Sequence, residues 1–262
     1  MRKRCIQLLH VSPSFYPAVS YGGPIFSTKA ITDGVAKNHC ISVKVLTTDT
    51  ASPNNRTRLT LSDNPLTMEE GYKVRYCWSF GGTAIAPEML WYLVSHIRSA
   101  DVVHLTGPYN FPSIPTLLLC RIYRKPLLWS PRGGFQATHQ WSSSPNRFVK
   151  SAFEKICAYI APRNMTFHVT AKEEAEACLE NFPDISCAII PNSVDVPEDM
   201  PPREVRDHSR LRLAFLSRVH PKKGLDILFS ALSLLPCYVT LDVYGEGEEN
   251  YQASLKLSLI HI

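Results

Sequence analysis

Short apolar runs alternate with longer stretches of helical period along this chain, and this alternation constrains the fold more than any other feature. The strand-like runs cover residues 5–12, 41–48, 72–78, 101–107, 126–133, 165–171 and 187–192. The helical patterns between them cover residues 23–38, 87–100, 113–124, 146–163 and 172–181. This order predicts βαβ units, in which a parallel sheet is covered by helices on both faces. We therefore predict an α/β fold with a complete Rossmann-like domain over residues 1–195.

The apolar residues also predict which surfaces are buried. The strands are continuous apolar runs rather than alternating ones, which is typical of strands covered on both faces. In the first helical stretch Phe26, Ala30, Ile31 and Val35 share one face, so we expect that face to pack against the sheet.

After the first domain the composition changes and the pattern starts again. A segment rich in proline and charge follows, and we assign residues 196–210 as a linker. The restarted pattern has strands at 211–217 and 238–245 around a helix at 224–235. Two strands and one or two helices cannot cover both faces of a parallel sheet. We therefore expect residues 211–262 to be the beginning of a second domain that is truncated at its carboxyl end.

Composition limits the partners that the protein can have. The 262 residues are 45% hydrophobic and carry 28 Lys and Arg against 23 Asp and Glu, a net charge of +5. This balance suits an anionic ligand or an anionic membrane surface. Nucleic-acid binding is disfavoured, because the basic residues are scattered and form no recognition motif.

The cysteines and the apolar windows indicate a cytoplasmic protein. Eight cysteines are spread along the chain without a CxxC pair or a histidine cluster, which argues against a zinc site and predicts buried thiols in a reducing compartment. The apolar run at the amino terminus is short for a signal peptide, and no window approaches 18 uninterrupted apolar residues.

A glycine pair lies between the first strand and the first helix. Gly22 and Gly23 precede Pro24, a residue that suits the first turn of a helix. Glycines at the carboxyl end of a strand let backbone N–H groups approach a phosphate, and the helix amino terminus favours the negative charge. The alternative is a flexible loop that only leads into the helix.

A basic cluster occupies the equivalent turn of the second unit. Arg218 and Lys223 flank the turn between strand 211–217 and helix 224–235. A guanidinium and an ammonium at this place can bind a diphosphate together and neutralise the charge that develops on a departing phosphate. The alternative is a solvated basic loop.

Polar residues follow three more strands. Arg132 lies at the end of the predicted strand at 126–133 and His139 follows it, and we expect both to contact an acceptor. Glu173 and Asn192 lie at the ends of the next two predicted strands and are candidates for the same side of the site. The alternative for Asn192 is that it only shapes the turn into the linker.

Taken together, the motifs resemble a known family. In order and spacing they are similar to those of the family-4 retaining glycosyltransferases, which have the GT-B fold. The segments that carry the resemblance are SYGGP (20–24), DVVHLTGPYNFPS (101–113), SPRGG (130–134), IIPNSVD (189–195), FLSRVHPKKGLDILFSAL (215–232) and VYGEGEENY (243–251).

The resemblance implies two Rossmann-like domains that face a cleft, the first binding the acceptor and the second binding a nucleotide-sugar. Arg218 and Lys223 match the pair that holds the donor diphosphate in that family. Gly22 and Gly23 match a glycine loop that comes close to this diphosphate. A further pair, Gly245 and Gly247, matches a turn beneath the nucleotide.

The resemblance also implies a chemistry. A sugar would pass from a nucleotide-sugar to a saccharide or lipid-linked acceptor with retention of configuration, as in polysaccharide or lipopolysaccharide biosynthesis. No metal or other cofactor would be needed, since Arg218 and Lys223 supply the positive charge. The chain departs from the family in two ways: Arg132 lies near a position where many relatives have histidine, and the acidic E-x7-E element is missing.

Three alternatives accompany this interpretation. The 262 residues could be an inactive fragment that retains only the acceptor-side domain. Another GT-B enzyme, such as a nucleotide-sugar epimerase, would need acid and base residues for which we find no strong candidates. Some relatives work at the cytoplasmic face of a membrane; the stretch 147–163 suits peripheral contact of that kind, and its alternative is an amphipathic helix packed on the sheet.

Overall fold

The computed structural model describes residues 5–53, 56–80, 85–135, 146–193, 199, 211–235, 239–247 and 249–259. The chain separates into two compact units, residues 1–195 and 196–262. Apart from Asp199, the linker that we predict over residues 196–210 lies outside the described residues.

The first unit is built on an eight-stranded sheet with the order β3-β4-β2-β1-β5-β6-β7-β8. Its strands are β1 (Ile6–Val11), β2 (Ile41–Thr48), β3 (Leu66–Thr67), β4 (Lys73–Cys77), β5 (Val102–Thr106), β6 (Leu127–Ser130), β7 (Met165–Val169) and β8 (Ser186–Ile189). All neighbours are parallel except β3, which pairs antiparallel with β4 at the edge. The predicted α/β fold with a parallel sheet is confirmed. The two-residue β3 was not predicted, because it contains no apolar run.

Within the described residues, five helices connect these strands at almost the predicted positions. They are α1 (Gly23–Ala36), α2 (Pro87–Ser99), α3 (Ser113–Ile122), α4 (Arg147–Ile160) and α5 (Lys172–Asn181). Both α1 and α2 have proline in their first turn, where the missing N–H group costs no helical hydrogen bond.

The face of α1 that packs inward differs from the prediction. The helix buries Ile25, Thr28 and Thr32, whereas the side chain of Phe26 is 54% exposed. The buried face is partly polar because Thr32 is hydrogen-bonded to His10, an imidazole inside the sheet. Apolar periodicity alone cannot find a helix face whose partner is a buried polar side chain.

An aromatic cluster fixes the ends of β6 and β7. The ring of Trp129 lies 5.6 Å from that of Phe167 and 5.8 Å from that of Phe182, measured between centroids. Phe135, from the loop after β6, packs edge-on against Trp129 at 5.3 Å. All four side chains are buried, so the loop that leaves β6 starts from a rigid base.

Four of the seven described thiols are buried, in agreement with the prediction, and Cys5 and Cys187 are half-buried. The buried ones are Cys77, Cys120, Cys157 and Cys178. The prediction is wrong for Cys40, which is exposed at the start of β2, and Cys237 lies outside the described residues.

The second unit has two described strands, β9 (Leu211–Leu216) and β10 (Val239–Tyr244), which pair in parallel. Helices α6 (Leu225–Leu232) and α7 (Glu249–Leu259) accompany them. A small core of Val219, Leu225, Phe229 and Leu255 joins these elements. Among the helices of the described residues, none has both the length and the apolar character required to cross a membrane.

Candidate functional site

Two adjoining pockets lie at the carboxyl ends of the central strands in the first unit. The first, which we call the polar pocket, has a volume of about 340 Å³. Its lining residues follow β1, β6, β7 and β8 and comprise Gly23, Pro24, Ser27, Arg132, Gly133, Thr170, Glu174 and Asn192. Parallel α/β sheets bind ligands at this edge, so the position agrees with the expectation from the strand order.

The second pocket is less polar and has a volume of about 270 Å³. We call it the proline pocket, because Pro13, Pro24, Pro108 and Pro131 all line it. It opens where β1 and β5 lie side by side, and the chain leaves these two strands toward opposite halves of the sheet. This reversal of strand order is the topological switch point, where a crevice forms between loops that diverge.

The predicted glycine pair borders the polar pocket. Gly22 has φ 79° and ends a 3-10 turn just before α1, a conformation that suits glycine. Gly23 lines the polar pocket, and a Cβ added there would meet nothing within 4 Å. Packing therefore does not require glycine at this position, and the absence of a side chain leaves the pocket open.

Arg132 lies between the two pockets and lines both of them. Its Nη1 donates a hydrogen bond of 2.7 Å to Oδ1 of Asn192, whereas Nε and Nη2 are buried without a partner. Burial lowers the pKa of the guanidinium, and the carboxylate of Glu174 partly opposes this shift. The backbone at Arg132 is left-handed, with φ 54°.

The acidic residue of this site is Glu174, not Glu173. Glu173 is exposed on α5, whereas Glu174 is 2% exposed and lines the polar pocket. One oxygen of Glu174 accepts a hydrogen bond from the N–H of Gly133, and the other accepts from the N–H and the hydroxyl of Thr170. The side chain turns back past the start of α5, because the N–H groups that it binds belong to Thr170, which precedes the helix, and to Gly133, in the loop after β6. Sequence reasoning chose a neighbouring residue because it cannot tell which carboxylate turns back.

The structure brings together three of the residues predicted for the first unit and leaves others apart. Gly23, Arg132 and Asn192 line the same pocket. His139 lies outside the described residues, so its predicted contact with an acceptor stays a prediction.

Beneath the pockets runs a row of buried side chains that sequence analysis missed. We call it the polar belt, and its members are Thr32, His10, Thr106, His104, Ser130 and His168. They come from α1, β1, β5, β6 and β7, so the belt crosses the middle of the sheet. The imidazoles of His10 and His104 stack with their centroids 4.4 Å apart.

Hydrogen-bond directions in the belt are fixed by backbone carbonyl groups at its two ends. Thr32 donates its hydroxyl proton to the carbonyl of Thr28, so it accepts from Nδ1–H of His10 at 2.9 Å. Nε2 of His10 then accepts from the hydroxyl of Thr106 at 2.8 Å. Since a neutral imidazole has one donor and one acceptor, His10 is the Nδ1–H tautomer.

At the other end, Nε2–H of His168 donates to the carbonyl of Ile190 at 3.2 Å. Nδ1 of His168 therefore accepts from the hydroxyl of Ser130 at 2.9 Å. The oxygen of Ser130 in turn accepts from Nε2–H of His104 at 2.7 Å. His104 and His168 are thus both Nε2–H tautomers.

The three imidazoles of the belt are neutral. Burial is the main reason why the pKa of His10 is lowered to about 3, and the nearby guanidinium of Arg132 makes a smaller contribution. Burial is also the main reason why the pKa values of His104 and His168 are lowered. A sequence signal for the belt exists, because three strands end in histidine, an aliphatic residue and a hydroxyl residue: His-Val-Ser at 10–12, His-Leu-Thr at 104–106 and His-Val-Thr at 168–170.

In the second unit, the predicted cations occupy the loop that leaves β9. Arg218 lies two residues after the end of the strand, and Lys223 ends a 3-10 turn before α6. Both side chains are exposed, and neither forms an ion pair with a described residue.

The predicted glycine turn packs against the backbone that bears Arg218. A Cβ on Gly245 would lie 1.8 Å from the carbonyl oxygen of Ser217, and a Cβ on Gly247 would lie 2.0 Å from that of Val219. Val219 also donates a backbone hydrogen bond of 2.8 Å to the carbonyl of Glu246. The turn therefore holds the loop of Arg218 against the end of the sheet.

Within the described residues, no three or more His, Cys, Asp and Glu side chains come together in a group that could hold a metal ion.

The sequence matches no family model and no curated protein. Solved structures do match. The chain is similar to Alr3699/HepE of Anabaena in complex with UDP and glucose, with 18% identity and a TM-score of 0.58 over 96% of this chain. It is also similar to MurG of Acinetobacter baumannii, with 15% identity and a TM-score of 0.54 over 97%. A third match is the lipopolysaccharide outer core galactosyltransferase WaaB in its apo form, with 11% identity and a TM-score of 0.55 over 97%.

The chain spans less than two-thirds of the length of these proteins, covering 64% of HepE, 62% of MurG and 64% of WaaB. At such low identities the likeness concerns the fold. It shows a Rossmann-like α/β fold of the GT-B type.

Proposed function

We propose that this chain belongs to a glycosyltransferase that moves a sugar from a nucleotide-sugar to a saccharide or lipid-linked acceptor, with retention of configuration. The observation that supports it most is the convergence of Gly23, Arg132 and Asn192 in one pocket at the switch-point edge of a GT-B-type sheet. The structural neighbours support it as well, since HepE was solved with UDP and glucose and WaaB is a galactosyltransferase.

The first unit is proposed to bind the acceptor. Its two pockets offer backbone and hydroxyl groups, the amide of Asn192 and one cation, Arg132, beside walls of proline. Pockets with apolar walls and a few directed polar groups are typical of small-molecule sites. No member of the polar belt needs to act as a base, because the imidazoles are already held by their neighbours.

The second unit is proposed to hold the donor diphosphate through Arg218 and Lys223. In the reaction, the bond between the anomeric carbon and the diphosphate oxygen breaks, and the acceptor oxygen bonds to that carbon on the same face. The acceptor's proton passes to the departing diphosphate, whose charge the two cations neutralise without a metal ion. Both side chains are exposed and free of ion pairs with described residues, as a ligand site for phosphate requires.

The test compares donor binding and transfer for three variants. Arg218→Ala and Lys223→Ala should each weaken UDP or GDP binding and lower transfer by about 10²-fold, as the loss of one charge-stabilising contact does. Lys256→Ala is the matched control, because Lys256 is an exposed cation on α7 of the same unit. Wild-type turnover in both loop variants would refute the role of the pair. Anomeric configuration of the product, read by NMR, tests retention.

A second candidate function is acceptor binding without transfer. Both pockets that define the candidate site belong to the first unit, so the 262 residues could bind an acceptor with no chemistry of their own. Donor hydrolysis and sugar transfer by the 262-residue protein would exclude this candidate.

We further propose peripheral membrane contact through α4. Phe148 is 87% exposed and Tyr159 80% exposed, and the cations Arg147 and Lys155 are exposed on the same helix. An apolar face flanked by basic residues suits the surface of an anionic bilayer. Co-sedimentation with vesicles that contain anionic lipid tests this membrane contact. The absence of binding at low ionic strength would refute it.

A further inference from the structure

One edge of the Arg132 guanidinium has no hydrogen-bond partner. Nη1 is bound to Asn192, but Nε and Nη2, which point the same way along the opposite edge, are buried and unpaired. Buried N–H groups in folded proteins are almost always paired with protein, water or a ligand. Two neighbouring nitrogens without an acceptor on one guanidinium are therefore a feature that a bound group would explain.

The charge of Arg132 is also incompletely balanced. Its hydrogen-bond partner Asn192 is neutral, and within the described residues no carboxylate lies within ion-pair distance of it. The carboxylate of Glu174 is close enough to raise the pKa of Arg132, which partly opposes the effect of burial. Its two oxygens, however, already accept three hydrogen bonds from Gly133 and Thr170. The neighbouring imidazoles of the polar belt are neutral, so they neither pair with the guanidinium nor compete with it for an anion.

The backbone around this edge is strained at two places that share one pocket. Arg132 has φ 54° and Tyr109 has φ 56°, and both line the proline pocket. Non-glycine residues in the left-handed region are uncommon and cluster at ligand sites. Arg132 lines both pockets, so a ligand in either one lies against this residue.

We propose that Arg132 recognises an oxyanion, a carboxylate or a phosphate, carried by the acceptor. This inference rests on the proposed function and names the class of its acceptor: a sugar or sugar-like group with a negative charge. The side-on edge of a guanidinium offers two parallel N–H donors, which match two oxygens of a carboxylate or phosphate. The neutral part of the acceptor is assigned to the proline pocket, whose walls suit an apolar ring face.

Binding measurements with small probes test this directly. The probes are a methyl glucuronoside, glucose 6-phosphate and neutral methyl glucoside, titrated into the 262-residue protein by calorimetry or NMR. At least one anionic probe should bind about tenfold or more tightly than the neutral one, in line with hydrogen bonds to a charged group. Comparison of the two anionic probes distinguishes a carboxylate from a phosphate. Equal affinity for all three probes would overturn the proposal.

Variants connect the preference to Arg132. Arg132→Gln should abolish the advantage of the anionic probe, and Arg132→Lys should retain part of it, because lysine keeps the charge but lacks the two-pronged edge. Arg98→Gln, which removes an exposed arginine from α2, should bind like the wild type. If Arg132→Gln does not fold, Arg132→Asn replaces it, since asparagine tolerates the left-handed backbone. An anion preference that survives in the neutral variant would contradict the proposal.

Titration with UDP separates this inference from the proposed function. UDP should bind Arg132→Gln and the wild type equally, because the donor is assigned to Arg218 and Lys223. A tenfold loss of UDP affinity in Arg132→Gln would assign the edge to the donor and overturn the acceptor assignment. Failure of the wild type to bind UDP, with the anion preference intact, would count against the proposed transferase alone.

Discussion

A methyl group on Gly247 would lie 2.0 Å from the carbonyl oxygen of Val219, closer than any carbon and oxygen can approach without bonding. The two residues also form a parallel bridge, next to the loop of Arg218. Gly247→Ala must therefore push the turn away from the strand end. We expect it to destabilise the second unit by about 3 kcal/mol, the upper range for overpacking.

Hydrogen exchange followed by mass spectrometry checks this prediction, with faster exchange over 211–247 and no change in the first unit. Gly34→Ala is the control. Gly34 is exposed within α1, where a Cβ meets nothing within 4 Å, so alanine should stabilise that helix by up to about 1 kcal/mol. Equal exchange in Gly247→Ala and the wild type would contradict the close packing.

Ser130 connects two imidazoles, and its replacement should be costly. In Ser130→Ala, His104 loses an acceptor and His168 loses a donor in the buried interior. We expect the free energy of unfolding to fall by about 2–3 kcal/mol, since each buried group left unpaired costs about 1–3 kcal/mol. Chemical denaturation measures the loss. Ser99→Ala, on the exposed end of α2, should change it by less than about 0.5 kcal/mol.

The tautomers of the belt can be read without any assay of activity. Long-range proton–nitrogen NMR should show His10 protonated at Nδ1 and both His104 and His168 protonated at Nε2. The assignment follows from the carbonyl groups of Thr28 and Ile190, which can only accept. Observation of Nδ1–H at His168 would reverse the direction of the Ser130 hydrogen bonds and refute it.

Stability should fall as the solution becomes acidic. The folded-state pKa values of His10, His104 and His168 are lowered, to about 3 for His10, so the unfolded chain binds more protons than the folded one below about pH 6.5. Stability is therefore fully present above that pH and is lost as pH falls toward about 3. In the pH range where a histidine is protonated in the unfolded chain and neutral in the folded one, it changes the free energy of unfolding by about 1.4 kcal/mol per pH unit.

Denaturation at a series of pH values between 7.5 and 4.5 checks this slope. His10→Asn should make it shallower by about one proton, and His39→Asn, which replaces an exposed histidine outside the belt, is the matched control. A slope that is the same in His10→Asn as in the wild type would show that His10 is not held neutral.

Removal of the Arg132 cation should stabilise the protein. Arg132→Asn eliminates two buried nitrogens that have no hydrogen-bond partner and places a tolerant residue at φ 54°, for a gain of about 1–2 kcal/mol. The matched variant Arg124→Asn changes an exposed arginine at φ 53°, so it relieves only the strain of the left-handed backbone. Thermal denaturation should rank Arg132→Asn above Arg124→Asn. The reverse order would show that the buried edge of Arg132 costs nothing.

Much of the fold could be predicted from apolar periodicity. The strand β2 and the helix α5 begin and end where the sequence indicates, because both are bounded by turns and continuous in pattern. The face of α1 and the choice between Glu173 and Glu174 could not be predicted in this way. Both depend on a polar partner from a distant part of the chain, His10 in one case and Gly133 in the other.

The positions of several candidate residues in the fold were predictable for the same reason. Strand ends can be located from the sequence, so Gly23, Arg132 and Asn192 were placed at one edge of the sheet. The pairing of Arg132 with Asn192, 60 residues away, and the unpaired edge that it leaves depend on side-chain geometry. No spacing rule for a single sequence contains that information.

The polar belt has a consequence for how such a sequence can diverge. Each hydroxyl in it has a set direction because the imidazole beside it has a set tautomer. A change at Ser130 alone leaves His104 and His168 mismatched, so an acceptable descendant must alter several members at once. We therefore expect substitutions at these positions to occur together, replacing the polar side chains with apolar ones as a group, or not to occur.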